Sequence, residues 1–328
     1  MNTTNNKIAF IINPVAKNGD VTRLWFSTLR QMVFKKYQKF AKEFITTNSK
    51  KSATTITVNA INDGYNIIVS VGGDGTHNEI INGYMEADGK NKHVCLVIAP
   101  ITSDLSKMIY GESYVHNIGD LYPIFQTEKF NKADMFCNYL FDIIDNTNTV
   151  EYDVGCMKST NNDDSGIISR YFINSCAVGF SGFLGNVSKT SGWNNFLSTC
   201  KQLVTWTNKP IRFKIDSNEY HTANIYQMVI SNNKYSGGIL IAPNASIYDG
   251  NLDLMVFDDM NIKDISIIKD IYYNTHTNYN KVKCFIGSVV IAEPTNSFDS
   301  ISISIDGEEG GKLPAMWSII SNAVVIKN

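Results

Sequence analysis

Asn66-Ile67-Ile68-Val69-Ser70-Val71-Gly72-Gly73-Asp74-Gly75-Thr76-His77-Asn78-Glu79-Ile80-Ile81-Asn82-Gly83-Tyr84 runs from an apolar stretch through a glycine turn into a segment with helical spacing. The apolar part, Asn66–Val71, reads as a buried strand, and Asn78–Tyr84 reads as the helix that follows it. A strand, a glycine turn and a helix start in succession make a phosphate-binding geometry. Glycines let the backbone bring N–H groups close to phosphate oxygens, and the helix N-terminus adds partial positive charge. A plain tight turn would also use these glycines, but it would not need Asp74 and Thr76 at the junction. A carboxylate beside phosphates calls for a Mg²⁺ ion or a ribose hydroxyl. The turn lacks the Gly-Lys-Ser/Thr of a Walker loop and the spacing of a dinucleotide fingerprint.

Outward from this turn, short apolar runs alternate with amphipathic segments, as in a parallel sheet with crossover helices. Ile8–Ile12 and Val94–Ala99 are further strands, and Phe40–Thr47 is a weaker one. Val21, Trp25, Leu29 and Met32 give Val21–Lys36 a helical stripe, and Ala53–Ile61 is assigned as helix from its place between two strands. Beyond about residue 130 the pattern changes to alternating strands, among them Ile211–Ile215, Tyr226–Ser231, Gly238–Ala242, Leu252–Phe257 and Ile301–Ile305. That alternation implies an antiparallel sheet with one wet face. Helices are expected at Asn194–Trp206 and Ile262–Asn274, and a loop or frayed hairpin over Asp145–Gly166. Two domains follow. Residues 1–130 form an α/β nucleotide-binding domain and residues 131–314 a β-rich domain.

The 328 residues are 43% hydrophobic and 18% charged, enough for a sizeable core, and the net charge of −2 gives no electrostatic case for nucleic acid. Residues 1–51 nonetheless hold ten Lys or Arg against Asp20 and Glu43, a solvated face or a patch that attracts anionic lipid or phosphate. Six scattered cysteines show neither zinc spacing nor a disulfide framework. No apolar run approaches the roughly 20 residues of a membrane span, and a cytosolic protein is expected.

Gly72–Gly83 resembles the nucleotide motif of the diacylglycerol kinase catalytic-domain family, whose members phosphorylate diacylglycerol, sphingoid bases or ceramide. The Asn-Glu and Asn-Gly extension separates it from the shorter Gly-Gly-Asp-Gly turns of NAD kinases and phosphofructokinases. The resemblance implies an N-terminal α/β domain to which a closing strand in 315–328 is added, a C-terminal β-rich, β-sandwich-like domain, and an active site in the cleft. It implies ATP and Mg²⁺ as cofactors and a membrane lipid as substrate, with peripheral membrane contact; a homodimer is left open. Nucleotide contacts are then expected from Asn13, Pro14, Val15, Ala16 and Lys17 after the first strand, from Thr47, from Gly72, Gly73, Asp74, Gly75, Thr76, Asn78 and Glu79, and from Thr102. Ala242–Asp253 resembles the family's cation loop, which assigns a structural Mg²⁺ to Asp249, with Ser246 and Asn251 offering backbone oxygen. Ile305-Asp306-Gly307-Glu308 ends an alternating strand. Carboxylates two apart on a strand share a side unless the glycine bends it, and Asp306 or Glu308 is the expected base.

One segment departs from the family. After Val94–Ala99 the family has a Gly-Thr-Gly-Asn-Asp type of sequence, whereas this chain reads Pro100-Ile101-Thr102-Ser103-Asp104-Leu105-Ser106-Lys107. Both glycines are missing, although Thr102, Asp104 and Lys107 align. An NAD-kinase-like metabolite kinase and a catalytically silent lipid- or partner-binding homologue are the alternatives. Apolar side chains in Phe180–Val187 and Trp193–Trp206 are core, or the wall of a lipid pocket.

Overall fold

The computed structural model describes residues 6–47, 49, 51–116, 127–180, 206–264 and 266–328. The chain divides into two compact units, Met1–Asp153 with Asn322–Asn328, and Val154–Ser321. The first boundary thus falls at Asp153 rather than 130, and the returning segment starts at Asn322 rather than 315.

In the first unit, β1 (Ile8–Ile12), β2 (Ala41–Ile45), β3 (Ile67–Val71) and β4 (Cys95–Ile98) form a parallel sheet in the order β2-β1-β3-β4. Every residue of β1 and β3 is buried, as a parallel sheet covered on both faces requires. One face packs against Val21, Leu24, Trp25 and Leu29, and against Phe136, Leu140 and Phe141 of a long helix, Thr127–Asp145. The expected helix over Val21–Lys36 is helical throughout but uneven: α1 (Asp20–Leu24) and α2 (Arg30–Tyr37) flank a π-helical turn, Trp25–Leu29. Trp25 anchors that turn by donating its Nε1–H to Glu43, which also pairs with Arg30 at 2.9 Å. Part of the basic surplus is therefore neutralised locally, since Arg23 pairs with Asp20 and Lys36 with Asp145.

Two helices sit beside the sheet, α3 (Ser52–Asn62) and α4 (Asp74–Glu86). They touch at Gly83. A Cβ there would lie 2.6 Å from the Thr54 carbonyl oxygen and 2.7 Å from Thr57 Cβ, so the Asn-Gly pair marks a helix contact. Helix α4 begins at Asp74, four residues before the expected Asn78, and Gly-Asp-Gly-Thr is its first turn. A short helix α5 (Asp104–Tyr110) follows β4, and the long helix named above is α6.

The second unit is antiparallel. Its strands are β5 (Thr149–Thr160), β6 (Ile167–Phe172), β7 (Ser175–Gly179), β8 (Lys209–Ile215), β9 (His221–Ser231), β10 (Tyr235–Ser236), β11 (Ile239–Leu240), β12 (Leu252–Asp258), β13 (Val282–Gly287), β14 (Val289–Pro294), β15 (Ser302–Ile305) and β16 (Glu308–Lys327). The pairings β9-β8-β14-β16-β15-β7-β9 close into a ring of six strands around Phe213, Met228, Val290, Ile303 and Trp317. From this ring β12 and β13 extend off β9. β5 begins in the first unit and β16 ends there.

One local expectation is decided between its two alternatives, and two need correction. Asp145–Gly166 is not a loop but belongs to the hairpin that was the other alternative: β5 supplies twelve residues and Asn161–Gly166 turns back into β6. Gly238–Ala242 contributes just the two-residue β11, paired with β10. Ile262–Asn274 is split into a 3-10 turn, Ile262–Asp264, and a short α7 (Ile267–Tyr272). Of the apolar stretches proposed as core or lipid wall, 181–205 lies outside the described residues, and with it all of the Asn194–Trp206 helix except Trp206. Phe180 and Trp206 themselves pack edge to face at 5.6 Å, and Phe180 also lies on Tyr226. All five described cysteines are free. No helix among the described residues is long and apolar enough to cross a membrane.

Candidate nucleotide site and carboxylate turn

In the sheet order β2-β1-β3-β4 the chain steps to one side from β1 to β2 and to the other side for β3, so the order reverses between β1 and β3. Ligands of open α/β sheets bind at the carboxyl ends of the strands at such a reversal. The residues found there are Asn13, which follows β1, and Gly72–Thr76, which follow β3. Asn13 ties the two loops together: its N–H donates to the Val71 carbonyl at 3.1 Å, its Nδ2 to Thr76 Oγ1 at 2.9 Å, and its Oδ1 accepts the Val15 N–H. The Pro14 carbonyl accepts the Thr22 hydroxyl at 2.6 Å. Val15 is exposed, Ala16 packs against the core, and the Lys17 side chain lies outside the described residues.

The glycines of the turn owe their presence to space. None of Gly72, Gly73 and Gly75 takes a left-handed φ, but a Cβ on Gly72 would lie 2.5 to 2.8 Å from three atoms of the Thr76 side chain. Gly73 caps α4 in extended conformation, and its carbonyl accepts the N–H groups of Thr76 and His77. Behind the turn, Ser70 Oγ and His77 Nδ1 are 2.6 Å apart in the buried interior.

The Asp74 carboxylate accepts the N–H groups of Asp104 and Leu105, both at 3.1 Å. The nucleotide turn is thereby joined to the start of α5, inside the segment that departs from the family. That segment closes without glycine. No residue of Pro100–Lys107 has positive φ; Ser103 caps α5 by accepting the Ser106 N–H, and Thr102 is fixed by two bonds to the His116 carbonyl. Asp104 is buried.

Three expected contacts are engaged within the protein. Glu79 turns toward α3, where its carboxylate accepts the N–H groups of Lys51 and Ala53 at 3.2 and 2.8 Å, capping a helix whose own first residues offer no side-chain cap. Asn78 is buried, its backbone and side-chain oxygens receiving Asn82 Nδ2. Thr47, beyond β2, joins a hydroxyl cluster with Ser49 at 2.5 Å and Ser52 at 3.2 Å.

In the second unit, Asp306 and Glu308 do not share a strand face. Asp306 (φ 46°) and Gly307 (φ 80°) are the two-residue turn that joins β15 to β16, with Ile305 paired to Glu308. Left-handed φ at both centres is the hairpin geometry that Asp-Gly favours. The Asp306 carboxylate folds back onto three backbone donors, Ile173, Asn174 and Ser175, at 2.9 to 3.1 Å. Glu308 instead projects at the head of β16, its side chain 39% exposed, and pairs with Arg170 at 3.0 Å. Beside the turn, burial and then the Asp306 charge push the Cys176 thiol well up.

The loop expected to hold Mg²⁺ is tightly wound. Asp249 Oδ1 accepts the Asn251 N–H, the Asn251 amide donates to the Asp249 carbonyl, and Ser246 Oγ accepts the Tyr248 N–H. Asp253, two residues on, carries a buried Oδ2 without a hydrogen-bond partner. Burial, and then the neighbouring Asp249, push its carboxyl up to about 6. Two neighbouring carboxylates, one of them with an orphaned oxygen, fit a hard cation. Among the described residues no three acidic, histidine or cysteine side chains converge, so backbone oxygens of Ser246 and Asn251 and water would complete its shell.

Residues 7–115 match the diacylglycerol kinase catalytic domain, and residues 190–327 match the YegS C-terminal NAD kinase beta sandwich-like domain. The chain therefore carries a diacylglycerol kinase catalytic domain over residues 7–115. Relatives named diacylglycerol kinase in Staphylococcus aureus strains JH9 and Newman are 24% identical over 273 residues, spanning 80% of this chain and 74% of theirs. A crystal structure of a diacylglycerol kinase from Bacillus anthracis strain Sterne superposes with a TM-score of 0.68 at 17% identity, covering 100% of this chain and 99% of that one. Yeast NADH kinase complexed with NADH gives 0.51 at 9% identity, covering 99% and 83%. The two structures show a shared fold. The matched domain and the relatives' names suggest a kinase.

Proposed function

We propose that this protein transfers the γ-phosphoryl group of ATP to the hydroxyl of a membrane lipid, with diacylglycerol the first acceptor and a sphingoid base or ceramide the second. The observation that carries the reading is the bond pair from Asp74 to the start of α5. It joins the nucleotide turn by side chain to the segment in which the family's glycines are missing, and it speaks against the silent homologue. Relatives named diacylglycerol kinase support the lipid acceptor over NAD. Contact with the bilayer surface follows from such a substrate.

On this reading Asn13 and the first turn of α4 hold the phosphates, with helix N–H groups facing negative charge. Glu308 is the base. Asp306, with three N–H donors on its carboxylate, sets the turn that presents Glu308. The new bond forms between the lipid oxygen and the γ-phosphorus while the bond to the β,γ-bridging oxygen breaks; ADP leaves with that electron pair, and the hydroxyl proton passes to Glu308. Magnesium, when bound, supplies charge neutralisation on the phosphates, and at Asp249 a structural tie for its loop.

The test is transfer of labelled γ-phosphate to diacylglycerol, sphingosine, ceramide and NAD, with lipids presented in mixed detergent micelles at several Mg²⁺ concentrations. Label in a lipid, lost in Glu308→Gln, is the expected result. Label in NAD alone, or in no acceptor, overturns the proposal.

A further inference from the structure

Arg170 lies on β6 opposite Met157 of β5. Its Nη2 reaches Glu308 Oε2 at 3.0 Å and its Nη1 reaches the Glu309 carbonyl oxygen at 3.1 Å, while its own side chain is only 20% exposed. One guanidinium thus grips the carboxylate of Glu308 and the main chain of the next residue. The three residues that bind Asp306, Ile173 to Ser175, begin three positions further along the same stretch. Both acids of Asp306-Gly307-Glu308 are fixed from Arg170–Ser175.

An ion pair with a carboxylate as exposed as Glu308 adds little to stability, so the pair needs another account. A long acidic side chain at a strand head samples several rotamers unless something selects one. The planar fork of arginine, spent on a side chain and a backbone oxygen together, selects one. Among the described residues no donor reaches Glu308 Oε1.

We propose that Arg170 is a positioning residue for the phosphoryl-transfer reaction: by holding Oε2 it leaves Oε1 aimed at the acceptor hydroxyl. This rests on the assignment of Glu308 as base. The proton still moves from the hydroxyl to Glu308, and Arg170 changes neither its source nor its destination. A neutral or shorter side chain at 170 leaves nucleotide binding intact and slows turnover.

The experiment compares wild type, Arg170→Met, Arg170→Lys, Glu308→Ala and the double Arg170→Met/Glu308→Ala in the labelled-phosphate assay. Arg170→Met is expected to lower kcat roughly 10- to 100-fold, the scale of a misplaced reacting group, with the KM for ATP within about twofold. Arg170→Lys recovers part of the loss, and adding Arg170→Met to Glu308→Ala costs nothing further. An unchanged kcat in Arg170→Met, or an equal loss in the Glu308→Ala background, overturns the proposal. Where Arg170→Met does not fold, Arg170→Gln is read by the same criteria, and a loss matched by a fall in melting temperature likewise overturns it. A wild type silent on every acceptor sinks this proposal together with the kinase assignment, whereas an active wild type with a full-rate Arg170→Met sinks this proposal alone.

Discussion

Replacing Gly72 by alanine adds one methyl group and no polar change, yet it should loosen the turn at the heart of the first unit. The backbone tolerates the change, because Gly72 does not adopt positive φ. The space does not. The new Cβ would meet Thr76 Oγ1 at 2.5 Å, Cβ at 2.6 Å and Cγ2 at 2.8 Å, so no rotation about the Thr76 side chain removes the clash. Either the first turn of α4 or the end of β3 must move. Overpacking of this kind costs about 1–3 kcal/mol. Movement of Thr76 also breaks the bond from Asn13 Nδ2, worth about 1 kcal/mol more. The sum, about 2–4 kcal/mol, corresponds to a roughly 30- to 1000-fold larger open population. Amide hydrogen exchange at the buried β3 residues Val69 and Val71 reads this locally, which avoids treating two units as one transition. The double variant Gly72→Ala/Thr76→Gly removes all three colliding atoms and should recover at least half the loss, since glycine costs little more than threonine in a first helical turn. Wild-type exchange in Gly72→Ala, or a double variant no better than the single, would refute the account of Gly72 as a residue demanded by Thr76.

Glu79→Gln should weaken the cap on α3 by about 1 kcal/mol, raising exchange at the N-terminal amides of α3; a large loss of ATP affinity with α3 exchange unchanged would return Glu79 to the nucleotide. Asp264 is held below the ordinary carboxylate range, first by its bond from Lys281 and then by the Tyr279 hydroxyl and the Asn261 N–H, with burial opposing. Its folded value lies below the unfolded one of about 3.9, so its contribution is present above that pH and disappears as pH falls through the folded value. Asp264→Asn should lower the melting temperature by a few degrees, about 2–8 °C, at pH 6 and by much less near pH 2; an equal loss at both would be against it. Asp249→Asn should abolish Mg²⁺-induced thermal stabilisation, expected at up to about 2.7 kcal/mol for magnesium a hundredfold above its Kd; the same shift in wild type and variant would place the cation elsewhere.

Legibility in the sequence followed the range of the interactions. β1 was readable to the residue, because five buried positions in a row leave a continuous apolar signature. The glycine turn was readable as a turn, but α4 began earlier than helix propensity suggests, since its first turn is steadied by Asp74 bonding to residues thirty positions away. Glu79 looked like a ligand residue and is a cap for a helix that precedes it by 26 residues. No local pattern announces that. The Asp306 and Glu308 geometry was within reach: Asp-Gly flanked by alternating apolar residues is a hairpin signal, and the chain does bend at that pair, which separates the two acids. β5 was obscured by its threonines, acids and lysine, and is a strand because β6 supplies the partner. Arg170 gave no signal, being 138 positions from the carboxylate it holds.

β16 starts with Glu308 and reaches Ile326, which lies beside Leu96 as the next parallel strand of the first unit. Several bonds secure that arrival, from Asn322 N–H to Asp153, from Lys90 to the Asn322 carbonyl, and between Val325 N–H and the Tyr84 hydroxyl. During synthesis, then, the first 153 residues leave the ribosome without the strand that closes their sheet, and β4 presents a bare row of N–H and C=O groups until the second unit has been made. Such an edge pairs readily with another chain. A gene fragment cut at the apparent domain border would carry this edge permanently, so aggregation rather than an isolated nucleotide-binding domain is what it should yield.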